Sequence, residues 1–235
     1  MCFNSAVCKR APVLRIENGN RYGQPQTFVT SGLKASPEIN AFLLSHAEKL
    51  SHTIGCWPSS GITCISLLVQ EKVQIIVQNM DLLPKLTQMD SARPNTPATT
   101  CFHNWLGERR YALTKLSSHL NWSELILPPP QEERTNSISS PWQFLKKLRT
   151  EPKNIVGLKE LSECSTSSWL SGASIETLLH IEDMFFLNRN QKISQNWWLF
   201  SPQASRLLST IHYQVAWVQQ FLLTKEVSQE LRIST

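Results

Sequence analysis

Residues 168–231 read SWLSGASIETLLHIEDMFFLNRNQKISQNWWLFSPQASRLLSTIHYQVAWVQQFLLTKEVSQEL, and the fold class turns on this stretch. Ser201-Pro202 opens its strongest helix. A serine hydroxyl at the N-cap accepts from an orphan backbone N–H, and proline next to it lacks an N–H the helix would leave unpaired. Ala204, Leu208, Ile211, Val215, Val218 and Leu222 then recur at intervals of 4, 3, 4, 3 and 4, which places them on one face. Leu207, Trp217, Phe221 and Leu223 widen that face beyond half the circumference. A helix this apolar is either central to its own core or covered by a partner.

Upstream, Ile175, Leu178, Leu179, Met184 and Phe185 predict a second helix over 174–187. Glu176 sits in its first turn, where the dipole favours an anion, and Asn188 supplies a stop. Between the two helices lie Trp197-Trp198-Leu199-Phe200. Two readings fit these side chains: a lid over the helix pair, or an aromatic anchor for another protein. On the second reading the protein-binding residues are Trp197, Trp198, Phe200, Trp217 and Phe221.

The Ser-Pro start recurs twice. Ser36-Pro37 introduces Ile39, Phe42, Leu43, His46, Ala47 and Leu50 on one face, where His46 reads as a core or boundary histidine. Ser140-Pro141 introduces Trp142, Leu145 and Leu148. A further helix begins near Thr100, with Phe102, Trp105, Leu106, Leu113, Leu116 and Leu120 on its apolar side and Gly107 weakening its middle. Over 62–83 a helix places Ile65, Leu68, Val69, Val73, Ile76 and Met80 on a stripe. The alternation of Val73, Ile75 and Val77 instead offers a short β-hairpin near 62–78. Gln70-Glu71-Lys72 is a poor tight turn, which favours the helix.

These elements predict a mainly α protein of irregular helical regions. Residues 1–35 form an irregular basic arm, expected to be mobile, with a short strand near 13–16. A helical region covers 36–127, a linker 128–139 built on Pro128-Pro129-Pro130, and a C-terminal helical region 140–235. Met89–Thr100, rich in proline and small polar residues, reads as a second linker.

With 235 residues, 41% hydrophobic and 17% charged, the chain has the composition of a folded protein with a sizeable core. A net charge of +5 permits an acidic or nucleic-acid partner without requiring one. The densest basic cluster is Lys146, Lys147, Arg149 and Lys153. Phosphate binding there is one reading, and the solvated face of an amphipathic helix the other. The six cysteines follow no secretory leader and no membrane-length apolar run, so reduced thiols in an intracellular protein are expected.

The pairs Cys2/Cys8, Cys56/Cys64 and Cys101/His103 lack zinc-module spacing, and no phosphate-cradling glycine loop or nucleophile elbow occurs, so no metal or cofactor is expected. Cys2 would become an N-terminal thiol if Met1 were removed, but no supporting pattern adjoins it. Trp169-Leu170 with Ile175 and Leu178-Leu179 resembles the opening helix motif of SUMO-specific proteases. That family's His-Trp, Asp and Cys would have to follow, yet after Leu187 there is one histidine and neither aspartate nor cysteine. The resemblance therefore implies no activity. The expected function is a non-enzymatic intracellular subunit or adaptor, nuclear or cytoplasmic, that binds other proteins through its C-terminal helices. The alternative is a nucleic-acid-associated accessory factor using the arm and the 146–153 cluster.

Overall fold

The computed structural model describes residues 15–18, 28–31, 36–72, 74–84, 86, 99–130, 138–187 and 196–233. The protein is mainly α, as its periodicities predict. Two short strands, β1 (Arg15–Asn18) and β2 (Phe28–Ser31), pair antiparallel from Arg15↔Ser31 to Asn18↔Phe28. The predicted arm is thus not irregular throughout. Part of it is an ordered pair, with β2 against α1 (Pro37–Ile54) and β1 against α2 (Ser60–Gln70). Residues 1–14, on which the mobile arm and the Cys2 reading rest, lie outside the described residues, as do Asn188 and most of the 89–100 linker.

Helix α1 starts where Ser36-Pro37 places it. Ser36 Oγ accepts from Ile39 N at 3.3 Å, and Gly55 closes the helix at φ +83°. Residues 60–70 are helical, so the β-hairpin over 62–78 is not formed, but the helix read over 62–83 stops at Gln70 and does not reach Ile76 or Met80. The physical reason lies at the end of α2: Lys72 turns the chain at φ +54°, and the segment beyond pairs elsewhere. Val77 N donates to Asn121 O at 2.9 Å and Asn121 N to Ile75 O at 3.3 Å, a single parallel bridge centred on Ile76.

The helix expected near Thr100 begins five residues later. Thr99–Phe102 form a 3-10 turn, and Asn104 then caps α3 (Trp105–Tyr111), its Oδ1 accepting from Gly107 N at 2.9 Å. Ala112–Leu116 continue as a π turn. Next come α4 (Pro141–Thr150), α5 (Ile155–Ser162), α6 (Thr166–Leu170) and α7 (Ile175–Ile181), the last ending in a 3-10 turn at Glu182–Met184.

The 32-residue α8 (Pro202–Ile233) is about 48 Å long at 1.5 Å per residue. It is the axis on which α3, α5, α6, α7 and the Trp197–Phe200 turn pack. Ala204, Leu208, Ile211, Val215 and Val218 are all fully buried, so the six-residue stripe faces inward as predicted except at half-buried Leu222. Each of these leucine, isoleucine and valine side chains contributes about 1.5–3 kcal/mol by leaving water. The same core cluster takes in Leu106 and Leu127 from one side of the 128–139 break and Trp142, Leu158 and Trp169 from the other. That break therefore joins segments that share a core.

Candidate functional site

The predicted protein-binding residues divide into two groups. Trp197 and Trp198 are buried, and their indole N–H groups donate inward to Leu148 O at 3.2 Å and Met184 O at 3.1 Å. They close over the α4 and α7 ends as a lid. Phe200, Trp217 and Phe221 are half-buried. Trp217 and Phe221, one turn apart on α8, stack with centroids 5.4 Å apart and planes inclined by 23°. With Leu207, Thr210 and Tyr213 they make the outward face of α8, and Tyr213 Oη donates to Pro128 O at 2.8 Å. From Leu207 to Thr224 no residue carries a formal charge. His212 within that span is buried and its imidazole is pushed down to about 3 by burial and by the nearby Arg109 charge.

The basic cluster is not a free cationic track. Lys147 Nζ lies 3.4 Å from Glu151, and Arg149 Nη1 lies 3.1 Å from Asp183. Lys146 and Lys153 point to solvent as exposed residues, Lys153 on a turn at φ +65°.

A third arrangement has no counterpart in the sequence reading. The short helix α3 grips the turn between α1 and α2 at both ends. Arg110 Nη2 lies 3.4 Å from Thr53 O and Asn104 Nδ2 donates to Ile54 O at 2.7 Å, which satisfies carbonyls at the C-terminus of α1. Glu108 meets the N-terminus of α2: it accepts from Ser59 N at 2.6 Å and from Ser59 Oγ at 2.7 Å. A cation at one helix C-terminus and an anion at the next N-terminus complement both dipoles. Glu182 completes the grip, accepting from Arg110 Nε at 2.9 Å and Asn104 Nδ2 at 3.0 Å.

The chemistry of this cluster argues for holding, not for attack on a substrate. Burial pushes the Glu108 carboxyl up to about 7, against the pull of its two Ser59 bonds. Burial likewise pushes the Cys56 thiol up to about 12, with Glu108 and Glu182 adding to it, so Cys56 is no thiolate nucleophile. Ser59 Oγ donates to the carboxylate and accepts from Ile62 N, which ties up the hydroxyl. Among the described residues no three His, Cys, Asp or Glu side chains come together as metal ligands, and no helix is long and apolar enough to cross a membrane. Cys56, Cys64, Cys101 and Cys164 form no disulfide.

The signal that could have found the grip is the triplet Glu108-Arg109-Arg110. Consecutive helical residues are turned by about 100°, so three charges in a row cannot all share the solvent face. Arg109 falls four residues before Leu113 and so points inward with it. The chain matches no protein-family model, and no match emerges among characterised proteins or solved structures, so its mainly α fold and this geometry are what describe it.

Proposed function

We propose that this protein is a non-enzymatic binding subunit that engages another protein through the outward face of α8. The observation that carries the reading is the stacked Trp217–Phe221 pair on an eighteen-residue stretch, Leu207–Thr224, without a formal charge. A helix on a domain surface ordinarily carries charged residues on its outer side. Here that side carries aromatic and small polar groups at helical spacing, the pattern that suits an amphipathic helix of a partner. The partner surface expected is apolar and uncharged.

Nucleic acid is the competing occupant. The pairing of Lys147 with Glu151 and of Arg149 with Asp183 weakens that reading, since counterion release needs cations free to meet phosphate. A photoreactive amino acid placed at position 217, with one at Val156 as control, separates the two. Val156 is 71% exposed, on α5. Irradiation in native extract is expected to give a discrete protein adduct at 217, unaffected by nuclease or raised salt, and none at 156. An adduct that nuclease removes, or equal adducts at both positions, overturns the proposal.

A further inference from the structure

Residues 74–78, between α2 and α3, form an extended segment with one edge taken and the other open. Burial alternates along it: Val77 is buried and Ile75 packs against the same core cluster, while Gln74, Ile76 and Gln78 are exposed. That period of two belongs to a strand. The bridge to Asn121 uses Ile75 O and Val77 N. Backbone groups alternate in direction, so the N–H and C=O of Ile76 face away from Asn121. No described residue bonds to them, and the Ile76 side chain beside them is 66% exposed.

We propose that this open edge pairs with the same edge of a second copy of the chain, antiparallel about a two-fold axis at Ile76. A two-fold interface joins one surface to itself, so Ile76 meets Ile76, and Gln74 meets Gln78 on either side. Ile76 and its copy exchange both N–H···O bonds, and Gln74 and Gln78 do the same across the axis. The pairing is separate from the α8 docking face and does not depend on it.

The sequence of the segment names this occupant. Gln74-Ile75-Ile76-Val77-Gln78 reads almost the same in both directions, differing only in Ile75 for Val77. A second copy therefore matches the edge position by position. Edges that avoid such pairing carry lysine, proline or a bulge. Residues 73–78 contain no charge, proline or glycine, and four of the six are β-branched, a composition that favours strand pairing.

Charge selects the antiparallel arrangement. Glu71, Lys72 and Asp81 flank the segment and are exposed. Antiparallel pairing brings Lys72 of each copy to the end where Asp81 of the other lies, whereas parallel pairing would set Lys72 on Lys72 and Glu71 on Glu71. Glu71 shares the Lys72 end, so the gain is the avoidance of two like pairs. The edge is short, because Lys72 at φ +54° and Asn79 at φ +57° turn the chain out of it at either end. A contact of this size belongs to the weak, reversible class.

The test uses the full-length chain and two readings. In sedimentation equilibrium the wild type is expected to shift from monomer toward dimer as concentration rises. Ile76→Lys, which sets like charges across the axis, is expected to weaken that association by about tenfold or more, while Ile126→Lys, at another exposed isoleucine, leaves it unchanged. A wild type that stays monomeric, or an Ile76→Lys chain that dimerises like it, overturns the proposal. The second reading fixes the register, in a Cys2→Ser, Cys8→Ser background under oxidised glutathione. Facing Cα atoms at a hydrogen-bonded pair lie about 5.5 Å apart, within reach of a disulfide. Ile76→Cys is therefore expected to cross-link with itself. Gln74→Cys alone is not, since its two copies stand about 14 Å apart along the strands, yet it is expected to cross-link when mixed with Gln78→Cys. Gln74→Cys joining itself as readily as Ile76→Cys overturns the two-fold pairing.

Discussion

The side-chain amide of Gln220 pairs with both backbone groups of Leu127: Leu127 N donates to Oε1 at 2.8 Å, and Nε2 donates to Leu127 O at 3.1 Å. The amide thereby imitates a strand partner for a residue 93 positions away. Oε1 also accepts from Arg109 Nη2 at 3.2 Å, and that same nitrogen donates to Leu125 O at 2.7 Å. One glutamine on α8 thus fixes the 125–127 segment and one flank of a fully buried guanidinium.

Gln220→Ala is expected to destabilise the protein by about 2–4 kcal/mol, because it leaves a buried N–H and a buried C=O without partners. Gln219, one residue earlier, is buried too, yet it makes a single bond through Nε2 to Leu106 O while its Oε1 has no partner. Removing it also removes an unsatisfied acceptor, so Gln219→Ala is expected to cost about 1 kcal/mol or less in polar terms. Denaturant unfolding of the two variants checks the order. Equal losses would show that side-chain volume, not the paired amide, sets the effect.

The three Ser-Pro starts make a second comparison. Ser36 and Ser201 each accept from the third residue on, Ile39 N and Ala204 N, both at 3.3 Å, whereas Ser140 makes no side-chain cap bond. Ser36→Ala and Ser201→Ala are expected to lose about 1 kcal/mol each, and Ser140→Ala less than about 0.5 kcal/mol. Thermal unfolding of the three single variants reads this directly.

Those starts also show what the sequence makes legible. N-caps, prolines and the α8 stripe act over three or four residues, and a local pattern is enough to place them. Ile76 bridging to Asn121 depends on a segment 45 positions away, which no local period reveals. The aromatic run at 197–200 was ambiguous for the same reason. Whether tryptophan is lid or anchor depends on the carbonyls of Leu148 and Met184, which reach it only through the tertiary fold. The grip of α3 is the extreme case: Asn104, Glu108 and Arg110 have partners 49–78 positions away, and the triplet shows only that one charge must turn inward.

Gly107 gives a prediction against helix propensity. Alanine in a helix interior is ordinarily about 1 kcal/mol better than glycine. Here an added Cβ would lie 2.4 Å from Asn104 Nδ2 and 2.8 Å from Ile54 O. The glycine lets α3 approach the C-terminus of α1 closely enough for Asn104 to cap both helices. Gly107→Ala is therefore expected to destabilise by about 1–3 kcal/mol, as overpacking does, and to free the Ile54 carbonyl. Equilibrium unfolding checks the sign, and faster amide exchange at Gly55 would show that the α1–α2 turn is the part that opens.

The last prediction concerns acid. His212 lies wholly inside α8's packed face, edge-on to Phe185 with ring centroids 5.2 Å apart, and its imidazole is held down to about 3 by burial, with Arg109 adding to it. In the unfolded chain the same ring takes a proton near 6.5. Below that pH the unfolded state binds the extra proton, so stability is lost progressively as pH falls from 6.5 toward 3. The loss is on the order of 3 kcal/mol by pH 4, from about one factor of ten per unit. His46, also held low and bonded to Ser66 Oγ at 3.1 Å, acts in the same direction, while Glu108 acts in the opposite one. The comparison that isolates His212 is wild type against His212→Leu, followed by denaturant unfolding at pH 7 and pH 4. The wild type is expected to lose more stability over that interval than the variant. Parallel losses would mean that His212 accepts its proton in the folded protein, which requires water to reach the centre of α8's buried face.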